Sequence, residues 1–356
     1  MKKKVHFVTG SLAGGGAERV LILLAGGLQD KRYNVSIISF SDPDEYSYDK
    51  RINRIRLHHG KIINHTISRF LQLLKYYRKK NNRPDIIISF LPPVSFVTIL
   101  IAKIYNIKII VSEHINHLQI GTKRDRFTRK YLYRFADITT VLTKFDVPYY
   151  KKYRAQVYVM PNPCSFEIQT DLNYERENSI IAIGNLDRFH HKGFDNLISL
   201  ISPILKKNPT WNLKIIGSGE QGMELLRNLV NKNQIGNQVT FTGFRKDIKE
   251  IMKISEIFIL PSRFEGLPMV LIEAISQGMI CLAYDCKTGP SDIIISGKNG
   301  ILVEDQNIIQ MQNELEKLIH NKELRNTIRT NTIKSIGRFS IDNIICQWEL
   351  LISKIV

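Results

Sequence analysis

Two glutamates eight positions apart stand out in the stretch RFEGLPMVLIEAISQG, residues 263–278. Glu265 lies in a polar loop, whereas Glu273 lies within an apolar run. Pro268 between them predicts the start of a helix, because proline is favoured in the first helical turn. The N–H groups of that turn have no helical partners, and with the helix dipole they suit a phosphate. Burying a carboxylate is costly without partners, and a ribose would offer Glu273 two adjacent hydroxyl donors.

Basic residues follow a predicted strand in the stretch GNLDRFHHKGFDNL, residues 184–197. Arg188 and Lys192 could hold a diphosphate through fixed positive charge where no metal ion supplies it. The alternative is that both are solvated residues of a surface loop, as charged loop residues usually are.

A glycine-rich loop, SLAGGGAERV at residues 11–20, joins a predicted strand to a predicted helix. Glycine lets the backbone approach a ligand closely and adopt positive φ. The spacing is not GxGxxG, because Arg19 stands at the third glycine position, so a dinucleotide site is disfavoured. A tight turn without a ligand is the alternative.

A histidine, His114 in VSEHINH, directly follows another predicted strand. Such a residue is often structural, because imidazole serves as a local hydrogen-bonding group. Its position after a strand also makes it a candidate for contact with a ligand.

The elements that position these residues follow one pattern, in which short apolar strands alternate with helical segments. This alternation predicts parallel sheets with helices on both faces, and ligands in such sheets lie beyond the carboxyl ends of the strands. The predicted strands are 5–10, 34–40, 85–90, 107–113, 137–143, 179–186, 211–219, 238–244, 257–262, 280–285 and 300–303.

The polar stretch 161–178 interrupts the pattern and predicts a boundary between two domains. We expect an α/β protein of two doubly wound, Rossmann-like domains, residues 1–163 and 164–340, facing a central cleft. The final segment, residues 341–356, is predicted to form a helix that crosses back to the first domain. The apolar stretch 86–102 is interrupted by two prolines, which favours a strand, a turn and a buried helix over a membrane span.

The net charge of +18 lies entirely in the first half of the chain. Residues 1–163 carry 29 Lys and Arg against 11 Asp and Glu, whereas the remainder carries 22 of each kind. Such asymmetry indicates an anionic partner for the first domain, namely nucleic acid, a membrane surface or a phosphorylated substrate. A basic, well-solvated surface without a partner is the alternative.

Residues 64–83 form an amphipathic pattern in this basic half, with apolar residues at helical spacing. The helix could lie on an anionic membrane or contact the phosphates of a lipid-linked acceptor. A sheet-covering helix with a solvated basic face is equally compatible with the pattern. The apolar positions are Ile67, Phe70, Leu71 and Leu74, and the acceptor or membrane candidates are Arg69, Lys75, Arg78 and Lys79.

Together these motifs resemble the retaining GT-B glycosyltransferases of the family 4 type. The stretch Phe264 to Glu273 is similar to that family's E-x7-E motif, and GGGAERV, SEH, GNLDRFHHKGFDNL and IIGSGE occur in matching order. The resemblance covers nearly the whole chain and is closest to bacterial enzymes that extend polyprenyl-diphosphate-linked glycans. One departure concerns the diphosphate site, because Asn185 occupies the usual arginine position and Arg188 becomes the candidate to replace it.

The resemblance implies roles for individual residues. Glu265 would lie beside the donor sugar, Glu273 would bind the ribose hydroxyls, and His114 would lie near the sugar or acceptor. The implied catalytic group is His114, Arg188, Lys192 and Glu265. The implied donor-binding residues are Gly15, Gly16, Asn185, Arg188, Lys192, Gly217, Gly219, Phe244, Glu265, Gly266, Leu267, Met269 and Glu273.

The implied activity is retaining transfer of Gal, GalNAc, Glc or GlcNAc from a UDP-sugar. The acceptor would be a lipid-linked glycan or a polysaccharide of the bacterial surface, such as O-antigen or capsule. We expect no cofactor and no metal, and a cytoplasmic protein on the inner face of the cell membrane. Within the fold, an epimerase or a phosphorylase is the alternative. A nucleic-acid-binding protein is disfavoured, because no zinc module or aromatic RNA-binding motif accompanies the basic half.

Overall fold

The computed structural model describes residues 2–13, 15–31, 33–57, 64–119, 121–172 and 175–356. The chain forms two compact units, residues 1–165 with 341–356 and residues 166–340. The predicted boundary after residue 163 lies two residues before this division. The final helix belongs to the first unit.

The described part of the first unit contains a seven-stranded parallel sheet in the order β3-β2-β1-β4-β5-β6-β7. Its central strands are apolar on both faces, as expected for a parallel sheet that is covered on both sides. The strands are β1 (Lys3–Val8), β2 (Tyr33–Ser39), β3 (Asn53–Arg56), β4 (Ile86–Phe90), β5 (Lys108–Ser112), β6 (Ile138–Val141) and β7 (Val157–Val159).

Helices cover this sheet and supply most of the remaining core. A Cβ atom at Gly27 would lie 2.5 Å from Ile345 Cδ1, so glycine permits the close packing of α14 on α1. The helices of this unit are α1 (Gly16–Asp30), α2 (His65–Arg78), α3 (Pro92–Tyr105), α4 (Lys123–Phe127), α5 (Val147–Lys152) and, at the end of the chain, α14 (Ile341–Ser353).

The second unit has a six-stranded parallel sheet among its described residues, in the order β10-β9-β8-β11-β12-β13. Its core is built mainly from aliphatic side chains of the sheet and of the helices that flank it. The strands are β8 (Glu177–Ile183), β9 (Asn212–Ile216), β10 (Val239–Gly243), β11 (Ser255–Leu260), β12 (Ile280–Asp285) and β13 (Ile301–Glu304).

The helices of the second unit begin where the strand loops end, as in other doubly wound sheets. They are α6 (Phe189–Lys192), α7 (Phe194–Lys207), α8 (Glu220–Lys232), α9 (Ile248–Ile254), α10 (Met269–Ser276), α11 (Pro290–Ile293), α12 (Ile308–His320) and α13 (Lys322–Ile336).

Each sheet has a topological switch point, between β1 and β4 in the first unit and between β8 and β11 in the second. At a switch point the two neighbouring strands send their connections to opposite faces, so the loops beyond their carboxyl ends leave a crevice for a ligand. The loops that carry the predicted glycine and glutamate motifs follow β1, β8 and β11. The predicted α/β class and doubly wound architecture are therefore confirmed.

The predicted strands are all present, but two short edge strands, β3 and β7, were not predicted. Edge strands need few apolar residues, and β3 has the sequence NRIR, which gives no hydrophobic pattern. The stretch 86–102 is β4 followed by α3, with Pro92 in the first helical turn. Among the described residues, none of the helices combines the length and apolar character needed to cross a bilayer.

The predicted apolar face of α2 is partly wrong. Ile67 and Leu71 are 58% and 56% exposed, whereas Leu73 and Tyr77 are the buried residues of this helix. Tyr77 is drawn inward because its hydroxyl is 3.0 Å from Nδ1 of the buried His6. The polar hydroxyl thus finds a partner in the core, and the helix is rotated relative to the prediction.

Candidate active site

The loops that follow β8 and β11 are joined at the switch point of the second unit. Gly193 adopts φ +70°, and a Cβ atom there would lie 1.9 Å from the carbonyl oxygen of Pro261. The Arg263 backbone N–H donates to the carbonyl of His191 at 3.0 Å. Its guanidinium donates to both carboxylate oxygens of Asp195, at 2.8 and 3.1 Å. Gly193 and the bidentate ion pair between Arg263 and Asp195 therefore fix the spacing of the two loops.

Lys192 and Glu265 meet across these loops. The Nζ atom of Lys192 donates to Glu265 Oε1 at 2.8 Å, and both side chains are largely shielded from solvent. The two residues are 73 positions apart in sequence, and each was predicted from a different motif. They form one charged group at the carboxyl edge of the sheet. Shielding from solvent strengthens the attraction between Lys192 and Glu265. It also strengthens the attraction between Lys192 and any anion that approaches it.

Helix α10 begins at Met269 behind Glu265, as Pro268 predicted. Pro268 is the residue before the helix, and its side chain has no group that could hydrogen-bond to the first-turn N–H groups. Leu267 is buried below this end of the helix, whereas Gly266 and Met269 are partly accessible. The N-terminus of α10 therefore lies next to the post-β11 loop, and the N–H groups of a helix N-terminus suit an anion.

Glu273 is buried on α10, with 4% of its surface exposed. Leu271, Ile272, Ala274 and Ile275 around it are fully buried. The prediction that this carboxyl group lies in the interior is therefore confirmed. Its role toward a ribose stays a prediction.

A third loop, which follows β12, supports the loop of Glu265 from the side. The Thr288 hydroxyl donates to the backbone carbonyl of Glu265. Gly289 has φ +98°, and a Cβ atom there would lie 2.4 Å from the carbonyl oxygen of Gly266. Burial raises the pKa of the neighbouring Cys286 thiol to about 12, so this cysteine is a packed thiol and not a thiolate nucleophile.

Other predicted donor residues lie along the same edge of the sheet. Asn185 accepts a hydrogen bond from the Asp187 N–H at 2.9 Å and thus caps the turn that carries the exposed Arg188. A Cβ atom at Gly217 would lie 1.8 Å from the carbonyl of Gly184, so glycine lets these two strand ends pack together. Gly219 has φ +140°, and Phe244, which follows β10, is 72% exposed.

The glycine loop of the first unit does not use positive φ at Gly15 or Gly16. Gly15 has φ −103°, and Gly16 is also absent from the positive-φ residues, so neither needs glycine for its backbone conformation. A Cβ atom at Gly15 would lie 2.0 Å from a carboxylate oxygen of Glu18, whereas the space beside Gly16 is open. The Glu18 side chain could move aside from a Cβ atom at Gly15, so neither position requires glycine for packing.

His114 follows β5 at the carboxyl edge of the first sheet. Its ring stacks on Phe90 with the ring centroids 4.6 Å apart, and its Nε2 atom lies 3.0 Å from Ser112 Oγ. Burial lowers the pKa of His114 to about 4, opposed by the weaker effect of a hydrogen bond to the side chain of Asn162. At neutral pH the ring is therefore uncharged, so it can exchange hydrogen bonds with a sugar hydroxyl but cannot neutralise a phosphate.

Glu113, which precedes His114, is the centre of a buried network that the sequence analysis missed. Arg129 donates to both Glu113 carboxylate oxygens, at 2.9 and 3.1 Å. The hydroxyls of Tyr133 and Tyr150 donate to Glu113 Oε2 at 3.0 and 3.1 Å. This network holds the end of β5, and hence the backbone of His114, in place. Its members are 16 to 37 positions from Glu113, so no local pattern indicates it.

The basic residues of α2 separate into two groups. Lys75, Arg78 and Lys79 are exposed to solvent, as predicted for a basic face. Arg69 instead packs inward, with its guanidinium carbon 5.5 Å from the ring centroid of Phe40. Arg69 therefore does not share the exposed face.

Arg69 has a basic neighbour, Arg124 of α4. Burial, followed by the charge of Arg124, lowers the pKa of Arg69. The Nε atoms of both arginines are buried and have no hydrogen-bond partner among the described residues. Arg124 donates to the Thr66 hydroxyl through Nη1. Two neighbouring cations with unpartnered Nε atoms make this region a candidate for binding an anion.

The described residues contain no group of three His, Cys, Asp or Glu side chains that could hold a metal ion. Asp44, which follows Asp42 and Pro43, pairs instead with Arg54 at 2.8 Å and with Arg56. This pairing lowers the pKa of Asp44, chiefly through the hydrogen bond from Arg54. The Asp-Pro-Asp sequence is therefore a structural turn in which arginines neutralise Asp44.

Family models match both halves of the chain. The model described as "Glycosyltransferase Family 4" matches residues 14–167, and "Glycosyl transferases group 1" matches residues 166–335. The junction between the two matches coincides within two residues with the division between the structural units.

Two relatives match along almost the entire chain. A protein of Haemophilus influenzae named "Uncharacterized glycosyltransferase" is 30% identical over 98% of this chain and 99% of its own. An α-1,4-N-acetyl-D-galactosaminyltransferase of Campylobacter jejuni is 29% identical over 99% of each chain. The name of the second gives its substrate as GalNAc-α-(1→4)-GalNAc-α-(1→3)-diNAcBac-PP-undecaprenol.

Among solved structures, HepE of Anabaena in complex with UDP and glucose superimposes with a TM-score of 0.82. The match covers 99% of this chain and all of HepE, at 17% sequence identity. This likeness establishes the GT-B fold.

The lowered pKa of His114 gives a test by NMR. Since the ordinary value is 6.5 and the folded value about 4, neutral His114 stabilises the fold fully above pH 6.5, and this contribution is lost as the pH falls towards 4. We expect the His114 ring signal, assigned through its loss in His114→Gln, to titrate near pH 4. A midpoint near 6.5 would show that the ring is solvated and charges near neutrality.

Proposed function

Because the chain belongs to the family 4 type of GT-B glycosyltransferases, we propose that it transfers a hexose or N-acetylhexosamine from a UDP-sugar to a polyprenyl-diphosphate-linked glycan. The transfer retains the anomeric configuration and serves the assembly of a bacterial surface glycan. The observation that carries the donor assignment is the Lys192–Glu265 pair beside the start of α10, at the switch point of the second sheet.

In this proposal the second unit holds the donor. Lys192, the exposed Arg188 and the first-turn N–H groups of α10 face the diphosphate, and Glu273 receives the ribose hydroxyls. In the same proposal the exposed ring of Phe244 stacks on the uracil base. Arg188 lies on a turn that Asn185 caps, which supports its substitution for the arginine that the family motif places at position 185.

The chemistry is stabilisation of charge. As the glycosidic bond to the diphosphate lengthens, negative charge grows on the leaving oxygen, and fixed cations stabilise that charge more than the ground state. Glu265 orients Lys192 and lies on the donor-sugar side of it. Neutral His114 contributes a hydrogen bond to a sugar hydroxyl. The acceptor hydroxyl attacks from the face that the diphosphate leaves and passes its proton to the departing diphosphate oxygen, so the configuration is retained and no metal is required.

The first unit holds the acceptor. Arg69 and Arg124 have unused, buried donors that suit the acceptor diphosphate, and the exposed Lys75, Arg78 and Lys79 extend the positive surface along α2. The Campylobacter relative, whose name specifies an undecaprenol diphosphate substrate, supports this class of acceptor. Such acceptors are anchored in a bilayer, so we place the protein on the inner face of the cell membrane.

Glu273→Gln tests the donor site by binding. Loss of the charge weakens its hydrogen bonds to ribose, so we expect the affinity for UDP to fall about ten- to a hundredfold in isothermal titration calorimetry. Glu224→Gln, at an exposed position of α8, is the matched control and keeps the wild-type affinity. Equal affinities for the wild type and Glu273→Gln would remove Glu273 from the donor site.

Turnover tests the proposed reaction itself. A short polyprenyl-diphosphate glycan is incubated with individual UDP- and GDP-sugars in the presence of EDTA. We expect a product from a UDP-sugar, with the donor's anomeric configuration by NMR. Lys192→Gln is expected to lower kcat about a hundredfold or more, as loss of a transition-state charge contact does.

Lys232→Gln, on the exposed face of α8, is the matched control and retains activity. An inverted product would refute retention, and loss of activity in EDTA would refute metal independence. Conversion of the UDP-sugar without acceptor would instead indicate an epimerase.

A further inference from the structure

The segment RFTRKYLYRF, residues 126–135, presents a repeated pair of basic and aromatic side chains to solvent. Phe127, Tyr131 and Phe135 recur at intervals of four, and are 48%, 39% and 45% exposed. Each follows an exposed cation, namely Arg126, Lys130 and Arg134. We call these six residues the aromatic–basic surface. None of them belongs to the donor or acceptor sites described above.

The surface carries positive charge without exposed acidic neighbours in its own segment. Asp125 is the acidic residue within residues 121–136, and it is buried, where it forms a capping box with Thr122. The cations lie close to the rings: Lys130 Nζ is 5.0 Å from the ring centroid of Tyr131, and the Arg134 guanidinium carbon is 4.9 Å from that of Phe135. Positive charge and apolar area therefore occupy the same face.

The opposite side of the segment is fixed in the core. Thr128, Arg129 and Tyr133 are buried, and the last two bind the carboxylate of Glu113. This anchor prevents the segment from rotating, so the three rings cannot turn inward to escape water. The buried ion pair therefore keeps the three aromatic rings exposed to water. Exposed apolar area of this kind indicates a surface that a partner covers.

The neighbouring helix α2 adds aliphatic area. Its exposed Ile67 and Leu71 follow Thr66, which hydrogen-bonds with Arg124 at the start of the same segment. Single-stranded nucleic acids bind through stacking of bases on aromatic rings and through a basic groove, and this mode of binding does not account for exposed aliphatic side chains. A bilayer interface accommodates both types, because aromatic rings lie at the headgroup level and cations meet anionic lipids.

We propose that the aromatic–basic surface, extended by Ile67 and Leu71, docks the protein on an anionic phospholipid bilayer. Phe127, Tyr131 and Phe135 enter the headgroup region, while Arg126, Lys130 and Arg134 bind lipid phosphates. The inference deepens the proposed function, since a lipid-linked acceptor gives the docking its purpose. Lipid binding is nevertheless a property of the first unit alone and can be measured without donor or acceptor.

Vesicle sedimentation tests the proposal on the full chain. We expect binding to vesicles of phosphatidylcholine with phosphatidylglycerol, weaker binding to phosphatidylcholine alone, and loss of binding as salt rises. Serine at positions 127, 131 and 135 together is expected to lower the partition coefficient about tenfold or more, because apolar area drives insertion. A matched triple variant, with serine for the exposed Ile308, Ile309 and Leu350, keeps wild-type binding.

Fluorescence gives a second measurement that does not depend on the triple variant. Trp211 and Trp348 are both buried, so Tyr131→Trp introduces a tryptophan in a different environment. The emission of this new tryptophan should shift to the blue on anionic vesicles and be quenched by brominated lipid.

The proposal is overturned if the triple-serine variant binds vesicles like the wild type, or if the emission of the Tyr131→Trp variant does not change while the protein sediments. It is equally overturned if the protein ignores anionic vesicles at low salt but binds single-stranded RNA. Failure of sugar transfer in the turnover assay with intact vesicle binding would refute the proposed reaction and leave this surface standing.

Discussion

The ion pair between Lys192 and Glu265 brings together two parts of the chain that only the sheet order makes neighbours. Because β8 and β11 are adjacent, the loops beyond them meet, and Gly193 and the Arg263–Asp195 pair fix the distance between them. A lysine held by a shielded carboxylate is preorganised, so little reorganisation is needed when an anion arrives. Glu265, the start of α10 and buried Glu273 follow within one short stretch. The whole proposed donor site thus depends on the contact between these two loops.

The first unit offers a different electrostatic environment. Its titratable residue at the sheet edge, His114, is neutral at physiological pH, because burial lowers its pKa to about 4. Positive charge is instead concentrated on arginines and lysines farther along, in α2 and in residues 123–135. Part of the excess positive charge of this half therefore lies in the proposed acceptor site and the aromatic–basic surface. The second unit is nearly neutral, and the cations of its proposed donor site lie on one loop edge.

Much of this could be predicted from the sequence, since strands that are buried on both faces form unbroken apolar runs, and Pro268 marks a helix start. Burial of Glu273 followed from its apolar neighbours. The short polar strand β3 gave no such pattern, and the face of α2 was misjudged because Tyr77 finds a hydrogen-bond partner in His6. The Glu113 network and the Arg263–Asp195 pair join distant residues, so only the fold reveals them. The inward turn of Arg69 toward Phe40 was hidden for the same reason.

The most direct test of the central claim is a crystal structure of the protein with a bound UDP-sugar. The account predicts that the diphosphate lies within hydrogen-bonding distance of Lys192 Nζ and of the first-turn N–H groups of α10. The ribose hydroxyls should meet the carboxylate of Glu273. A donor that is bound elsewhere, with the Lys192–Glu265 region unoccupied, would contradict it.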